Sequence, residues 1–196
     1  METQQDYALN VLHKKPLVFV LDNFISEKEC ETIINLSKDK MERAYIGTGD
    51  KSKVSTVRTG SSHFLKYLEN DEAFTIFKKI SMLLNKPGRN FDPFFQVIHY
   101  NPDEEYKVHV DPSGDRNKAE GIKHRKFTTL MYLNDVEEGG ETEFPKLNLK
   151  VAPKKGRMVY FENYTKDGKI NWDSSHRSLP VKKGEKWAFN LWYHEK

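Results

Sequence analysis

Cysteine is almost absent. The 196 residues contain one, Cys30, so no disulfide can close within the chain, and that usage suits a reducing compartment. Long apolar runs are missing as well. No stretch approaches the ~20 residues of a membrane-spanning helix. The opening METQQDYALN has no basic segment leading into an apolar one, so no signal peptide is expected. The expected location is cytoplasmic, with no membrane partner. Charge of one sign is also lacking: 32 basic and 29 acidic residues leave a net charge of +3, too mild to call for nucleic acid. The basic clusters KHRK (123–126) and PKKGR (153–157) read as solvated loops. Repeats and low-complexity tracts are absent. Aromatics are plentiful, with 12 Phe, 9 Tyr and 3 Trp. They can build a core at 37% hydrophobic content and exclude a disordered chain.

The hydrophobic period changes along the chain. PLVFVLDNF (16–24) reads as a strand. SEKECETIINLSKDKMER (26–43) reads as a helix, opened by a capping box of Ser26 and Glu29, with Cys30, Ile33, Ile34 and Met41 as its buried stripe. Cys30 is thus core packing rather than a nucleophile. Residues 45–62 read as a loop with a short strand, and 70–85 as a second helix built on Ala73, Phe74, Phe77, Ile80 and Leu84, stopped by KPG. Beyond residue 90 the pattern is short β-branched and aromatic runs: 94–100, 106–111, 126–135, 157–163 and 185–194. No helical segment separates them, which excludes parallel βαβ winding. The expected fold is mainly β with N-terminal helices (α+β) and a double-stranded β-helix, or jelly-roll, core. Residues 1–90 would pack on a core formed by 91–196 within a single compact domain.

The chemistry begins at YKVHVDPSGD (106–115). On a strand, positions i and i+2 share a face, so His109 and Asp111 converge while Val110 points away. Two polar residues on a wet strand face give the same pattern, so a third ligand must decide. Of seven histidines, His176 leads into a late strand, whereas His13, His63, His124 and His194 sit in segments of other character and His99 on a strand toward the core. Two histidines and a carboxylate occupy one face of an octahedral ion and leave three positions open, the geometry of non-haem Fe(II) oxygenases. Those positions suit a chelating 2-oxo acid and O2. Lys186, ten residues after His176, offers a cation for the far end of a diacid.

Tyr100, His109/Asp111, YLNDVEEGGETEFP (132–145), His176 and Lys186 inside KGEKW follow one another in an order that resembles the 2-oxoglutarate- and Fe(II)-dependent prolyl 4-hydroxylases of the collagen-type and bacterial branch. VRTGSSHFL (57–65) resembles that family's R-T-S stretch. The resemblance implies Fe(II) held by His109, Asp111 and His176, and 2-oxoglutarate held at its C5 carboxylate by Lys186 with the Tyr100 and Thr128 hydroxyls. It implies Tyr106 and Trp192 beside the substrate proline and Arg58 on the peptide. The implied reaction couples decarboxylation of 2-oxoglutarate to succinate with hydroxylation of peptidyl proline, using O2 and supported by ascorbate. The implied partner is a proline-containing peptide or protein. Read without the family, Tyr100, Tyr106 and Trp192 serve equally as core aromatics, Thr128 as a β-former and EEGGE as a tight turn outside the site.

The chain departs from the family pattern at Val110, at Pro112-Ser113-Gly114 and at Arg177, where aromatic or small residues are usual. These positions touch the substrate side rather than the ligands. The polar segment 111–126 reads as a lid. Two alternatives stay open: a related dioxygenase acting on a free amino acid or other small molecule, and a peptide-binding jelly roll without turnover. Nucleic-acid-repairing dioxygenases share H-x-D…H but anchor 2-oxoglutarate with arginine. Regiochemistry at C4 or C3 and the oligomeric state are left open.

Overall fold

The computed structural model of the chain describes residues 7–46, 53–54, 57–112 and 124–195. Most of the expected lid, 113–123, lies outside the described residues.

Twelve strands carry the architecture: β1 (Ala8–Lys14), β2 (Leu17–Asp22), β3 (Ser61–Leu65), β4 (Phe95–Tyr100), β5 (Tyr106–His109), β6 (His124–Tyr132), β7 (Thr142–Phe144), β8 (Leu149–Val151), β9 (Met158–Glu162), β10 (His176–Ser178), β11 (Val181–Lys183) and β12 (Lys186–Glu195). The large antiparallel sheet runs β1-β2-β9-β6-β12-β4-β3, closed at one edge by Glu42–Arg43. A smaller sheet, β8-β7-β10-β5, faces it. The N-terminal segment is therefore woven into the large sheet as well as packed on it. β1 was not foreseen: its side chains are mostly exposed, so it shows little apolar alternation.

Helix α1 (Glu27–Ser37) starts at the expected capping box. The Glu29 amide donates to Ser26 Oγ at 3.3 Å and the Ser26 amide donates to the Glu29 carboxylate at 2.7 Å. Helix α2 (Asp71–Leu83) is capped by Asn70, whose side chain accepts from the Ala73 amide. Lys79 of α2 pairs with Glu29 of α1 at 2.6 Å and ties the helices together.

Strand alternation divides the core. Odd-numbered residues of the central strands, Phe95, Val97, Phe127, Met131, Phe189 and Leu191, pack with Ile33, Ile76 and Ile80 of the helices. Even-numbered residues, Ile98, Tyr100, Leu130, Tyr132 and Ala188, face the small sheet and meet Phe144 and Val151. Period two thus sends Lys186, Asn190 and Trp192 of β12 into the space between the sheets. These residues and Tyr100 line a cavity of about 720 Å³ there. PKKGR is no free loop, because Arg157 and Lys154 both pair with Asp22. No helix among the described residues is long and apolar enough to cross a membrane.

Candidate metal centre

His109 and His176 are directly paired across β5 and β10. β5 ends at His109, and Asp111 lies two residues beyond in a bend, turned onto the same cavity. The candidate ligand atoms of the three residues lie within 4.8 Å of one another. Each histidine places Nε2 3.8 Å from Asp111 Oδ1.

Hydrogen bonds fix the tautomers. His109 Nδ1 lies 2.8 Å from the Lys107 carbonyl, and His176 Nδ1 3.1 Å from the Ser174 carbonyl. A carbonyl only accepts, so both Nδ1 atoms carry a proton and Nε2 is the atom each ring turns to the centre. Burial, then the neighbouring His176, pushes the His109 pKa down to about 3. Its ring is neutral at any ordinary pH, as a metal ligand must be. Burial alone would raise the Asp111 carboxyl, but the two histidines, Arg125 and Thr128 outweigh it and hold it below the usual range. A buried ionised carboxylate facing two imidazole Nε2 atoms fits a divalent cation, and its mixed N/O set fits iron better than calcium or a structural zinc.

The second Asp111 oxygen is also committed. Oδ2 accepts from the Thr128 hydroxyl and from Trp192 Nε1 at 3.1 Å. Thr128 accepts in turn from Asn163 Nδ2 at 2.9 Å. This corrects the expectation for Thr128: its hydroxyl orients the metal-facing carboxylate and does not reach the Lys186 end. Antiparallel pairing sets Thr128 opposite Trp192, and Lys186 opposite Tyr100. Trp192 lines the cavity, and beyond the expectation its indole nitrogen also serves Asp111, with Arg125 over its ring at 3.6 Å.

The group that does stand beside Lys186 was missed. Its Nζ donates to the Gly140 carbonyl at 2.7 Å and to Ser178 Oγ at 2.8 Å. Thr142, paired with Ser178 across β7 and β10, lines the same end of the cavity. Gly139 and Gly140 have φ of +81° and +72°. A Cβ at Gly139 would stand 2.4 Å from the Pro180 carbonyl oxygen, so the turn that delivers the Gly140 carbonyl needs glycine. The GGET stretch (139–142) belongs to the site, contrary to its reading as a detached turn. Lys186 is 1% exposed, and burial pulls its pKa down to about 7 against the opposing pull of Glu141.

Tyr100 is buried between Lys186 and Arg58, its phenol raised by burial. Gly60 permits this, since a Cβ there would lie 2.5 Å from the Tyr100 ring. Tyr106 stacks on His109 at 3.6 Å, and the Arg58 guanidinium carbon lies 5.1 Å above the Tyr106 ring. KHRK is corrected too: residues 124–126 open β6 half-buried, and Arg125 lines the cavity. The other described histidines stay out of the centre. His13 meets the Pro16 carbonyl, His99 pairs with Glu185, His124 with Tyr164 and His194 with Asp92.

The placement of Thr128 is testable. Thr128→Val keeps shape and removes the donor, and it should weaken metal binding about ten- to a hundredfold. At saturating metal the KM for a diacid co-substrate should stay within about twofold of wild type, given the small cost of groups that do not touch a ligand. A raised KM at unchanged metal affinity would return Thr128 to the Lys186 end.

Comparison with known proteins agrees with this geometry. The profile of the 2OG-Fe(II) oxygenase superfamily matches residues 95–194. The chain is 33% identical over 201 residues to probable prolyl 4-hydroxylase 7 of Arabidopsis thaliana, covering 92% of this chain and 63% of that protein. It is 34% identical over 208 residues to prolyl 4-hydroxylase 5 of the same plant, covering 95% and 71%. The chain thus spans less than two thirds of the first relative's length. Among solved structures, the viral collagen prolyl hydroxylase of Paramecium Bursaria Chlorella virus-1, in its 2OG complex, superposes with a TM-score of 0.72 at 31% identity, over 89% of this chain and 94% of that one. A Pseudomonas putida prolyl-4-hydroxylase shares the fold, with a TM-score of 0.66 at 16% identity over 91% and 92%.

Proposed function

Since the chain belongs to the 2OG-Fe(II) oxygenase superfamily and is related to the prolyl 4-hydroxylases, we propose that it hydroxylates peptidyl proline, at C4, with 2-oxoglutarate and O2 as co-substrates. The observation that carries the reading is the pairing of His109, Asp111 and His176 with a buried lysine in one cavity. Iron, when bound, supplies the oxidation that couples loss of CO2 from 2-oxoglutarate, giving succinate, to insertion of one oxygen into a C–H bond.

The rest falls to the chain's own residues. His109 and His176 present Nε2 because Lys107 and Ser174 hold their other nitrogens. Thr128 and Trp192 hold Asp111 from behind, so that Oδ1 faces the ion. The Lys186 ammonium takes the distal carboxylate, with the Thr142 and Tyr100 hydroxyls beside it. His176 and Ser178 lie two residues apart on β10, about 7 Å, so the metal and lysine ends are separated by the reach of a five-carbon diacid. The aromatic walls, Tyr106 and Trp192, each with a guanidinium over its ring, exclude water and border the space for a pyrrolidine ring. An extended proline-rich peptide meets such a wall at low entropic cost.

The test is mass spectrometry of a proline-rich peptide incubated in air with protein, Fe(II), 2-oxoglutarate and ascorbate, the last keeping the iron ferrous. Succinate is read from the same tube. One added oxygen on proline, lost on chelation and restored by Fe(II), is the expected result. Succinate without peptide oxidation would keep the dioxygenase and reject proline. Neither signal from an iron-loaded protein would reject catalysis.

A further inference from the structure

Charge in the cavity is unbalanced. Among the described residues four cationic side chains line it, Arg58, Arg125, Arg177 and Lys186, against the single carboxylate of Asp111. Two of the four are spoken for. Arg177 donates to Glu143 across β10 and β7, and Lys186 awaits the diacid. Arg58 and Arg125 remain. Arg58 is 6% exposed, stacks on Tyr106 and hydrogen-bonds the Tyr100 hydroxyl, while its buried Nε has no hydrogen-bond partner among the described residues. Arg125 stacks on Trp192 and, among the described residues, donates to the Asp111 backbone carbonyl at 3.4 Å. Among the described residues, neither guanidinium has a carboxylate partner. Both line the same cavity as His109, Asp111 and His176, Arg58 over the Tyr106 ring and Arg125 over the Trp192 ring.

A buried guanidinium with an unmade bond is costly, and a carboxylate is the group its planar fork fits best. Bound iron and a dianionic 2-oxoglutarate cancel in charge, so they leave this excess in place. Resting on the prolyl reading above, we propose that the preferred substrate carries a carboxylate next to the target proline, and that Arg58 and Arg125 hold it. The carboxylate is either an Asp or Glu side chain in the flank or the α-carboxylate of a terminal proline.

The experiment compares hydroxylation of capped peptides that differ only in one residue beside proline, Glu, Gln or Lys, placed before or after it. A further pair ends in proline as free acid or as amide. Wild type should favour Glu over Gln at one flank by about tenfold or more in kcat/KM, as a charge-assisted pair predicts, with Lys poorest. In Arg58→Gln or Arg125→Gln the Glu/Gln ratio should fall toward one. This ratio is taken within each variant, so an overall loss of activity cancels. If instead only the free acid outruns its amide, the α-carboxylate is the source. Equal rates on all peptides would overturn the proposal and leave prolyl hydroxylation standing. An Arg58→Gln protein with an unchanged ratio and a raised KM for 2-oxoglutarate would overturn it in favour of a co-substrate role. Hydroxylation of none of them would remove the prolyl reading and the proposal with it.

Discussion

His176→Ala is expected to abolish succinate formation and to remove the metal-dependent part of thermal stability. His176 supplies one of three candidate ligand atoms among the described residues, from the strand opposite the other two. Groups that merely support ligands cost about ten- to a hundredfold when lost, so loss of a ligand should exceed that. Metal binding to the native state alone is read as stability. At a hundredfold excess over Kd it contributes about 2.7 kcal/mol, a Tm rise of roughly 5–10 °C for a chain of this size. Mn(II), which prefers the same octahedral geometry, gives that rise without turnover. Wild type should show the shift and His176→Ala should not. The truncation also removes packing against Phe161 and Phe144, whose ring centroids lie 4.6 and 5.7 Å from the imidazole. The metal-free variant should therefore melt somewhat lower than metal-free wild type, and only the metal-induced shift reports the ligand. A variant that keeps both the shift and turnover would exclude His176 from the centre.

The metal ligands were legible in sequence because they depend on one local rule. Alternation puts His109 and Asp111 on one side of the chain, His176 stands out as the histidine leading into a late strand and Lys186 as a cation ten residues on, and the resemblance joins the four. Thr128 was misplaced because its role depends on register between strands far apart in sequence. β6 runs antiparallel to β12 and sets Thr128 beside Trp192. That is six residues from Lys186, about 20 Å along the strand. No local pattern distinguishes Thr128 from a hydroxyl at the other end. EEGGE was visible as a motif, and its glycines do take positive φ, but Glu138–Gly139 pairs with β11 as a short strand rather than forming a plain turn. What the turn delivers, the Gly140 carbonyl on Lys186, appears only when β7, β10 and β12 come together. Arg125 was hidden for another reason: a charge cluster at the first residues of a strand has the composition of a loop.

Lys186 is where function and stability should part most clearly. Its ammonium is buried and has no carboxylate in hydrogen-bond reach among the described residues, only the Gly140 carbonyl and the Ser178 hydroxyl. Burial lowers its pKa from 10.5 to about 7. The native state thus disfavours the charged form, a cost of a few kcal/mol present in full below pH 7. Between pH 7 and 10.5 the unfolded chain holds this proton and the native one does not, so the cost shrinks as pH rises. Lys186→Met should raise the Tm of the metal-free protein at pH 6, less at pH 9, after about 1–3 kcal/mol is set against it for the two acceptors left without a donor. The same variant should bind 2-oxoglutarate about a hundredfold more weakly or worse, because a buried carboxylate loses the cation set against it. Wild type carries the matching signature. A bound diacid restores the charge on Lys186, so binding above pH 7 must take up a proton, and affinity should fall by up to about tenfold per pH unit there. Calorimetry of 2-oxoglutarate binding in buffers of different ionisation enthalpy reads that uptake directly. Uptake near one proton at pH 8, absent at pH 6 and absent at both in Lys186→Met, is the expected pattern. Proton-neutral binding at pH 8 would mean that Lys186 stays charged in the empty site, and would remove the stability gain predicted for its replacement.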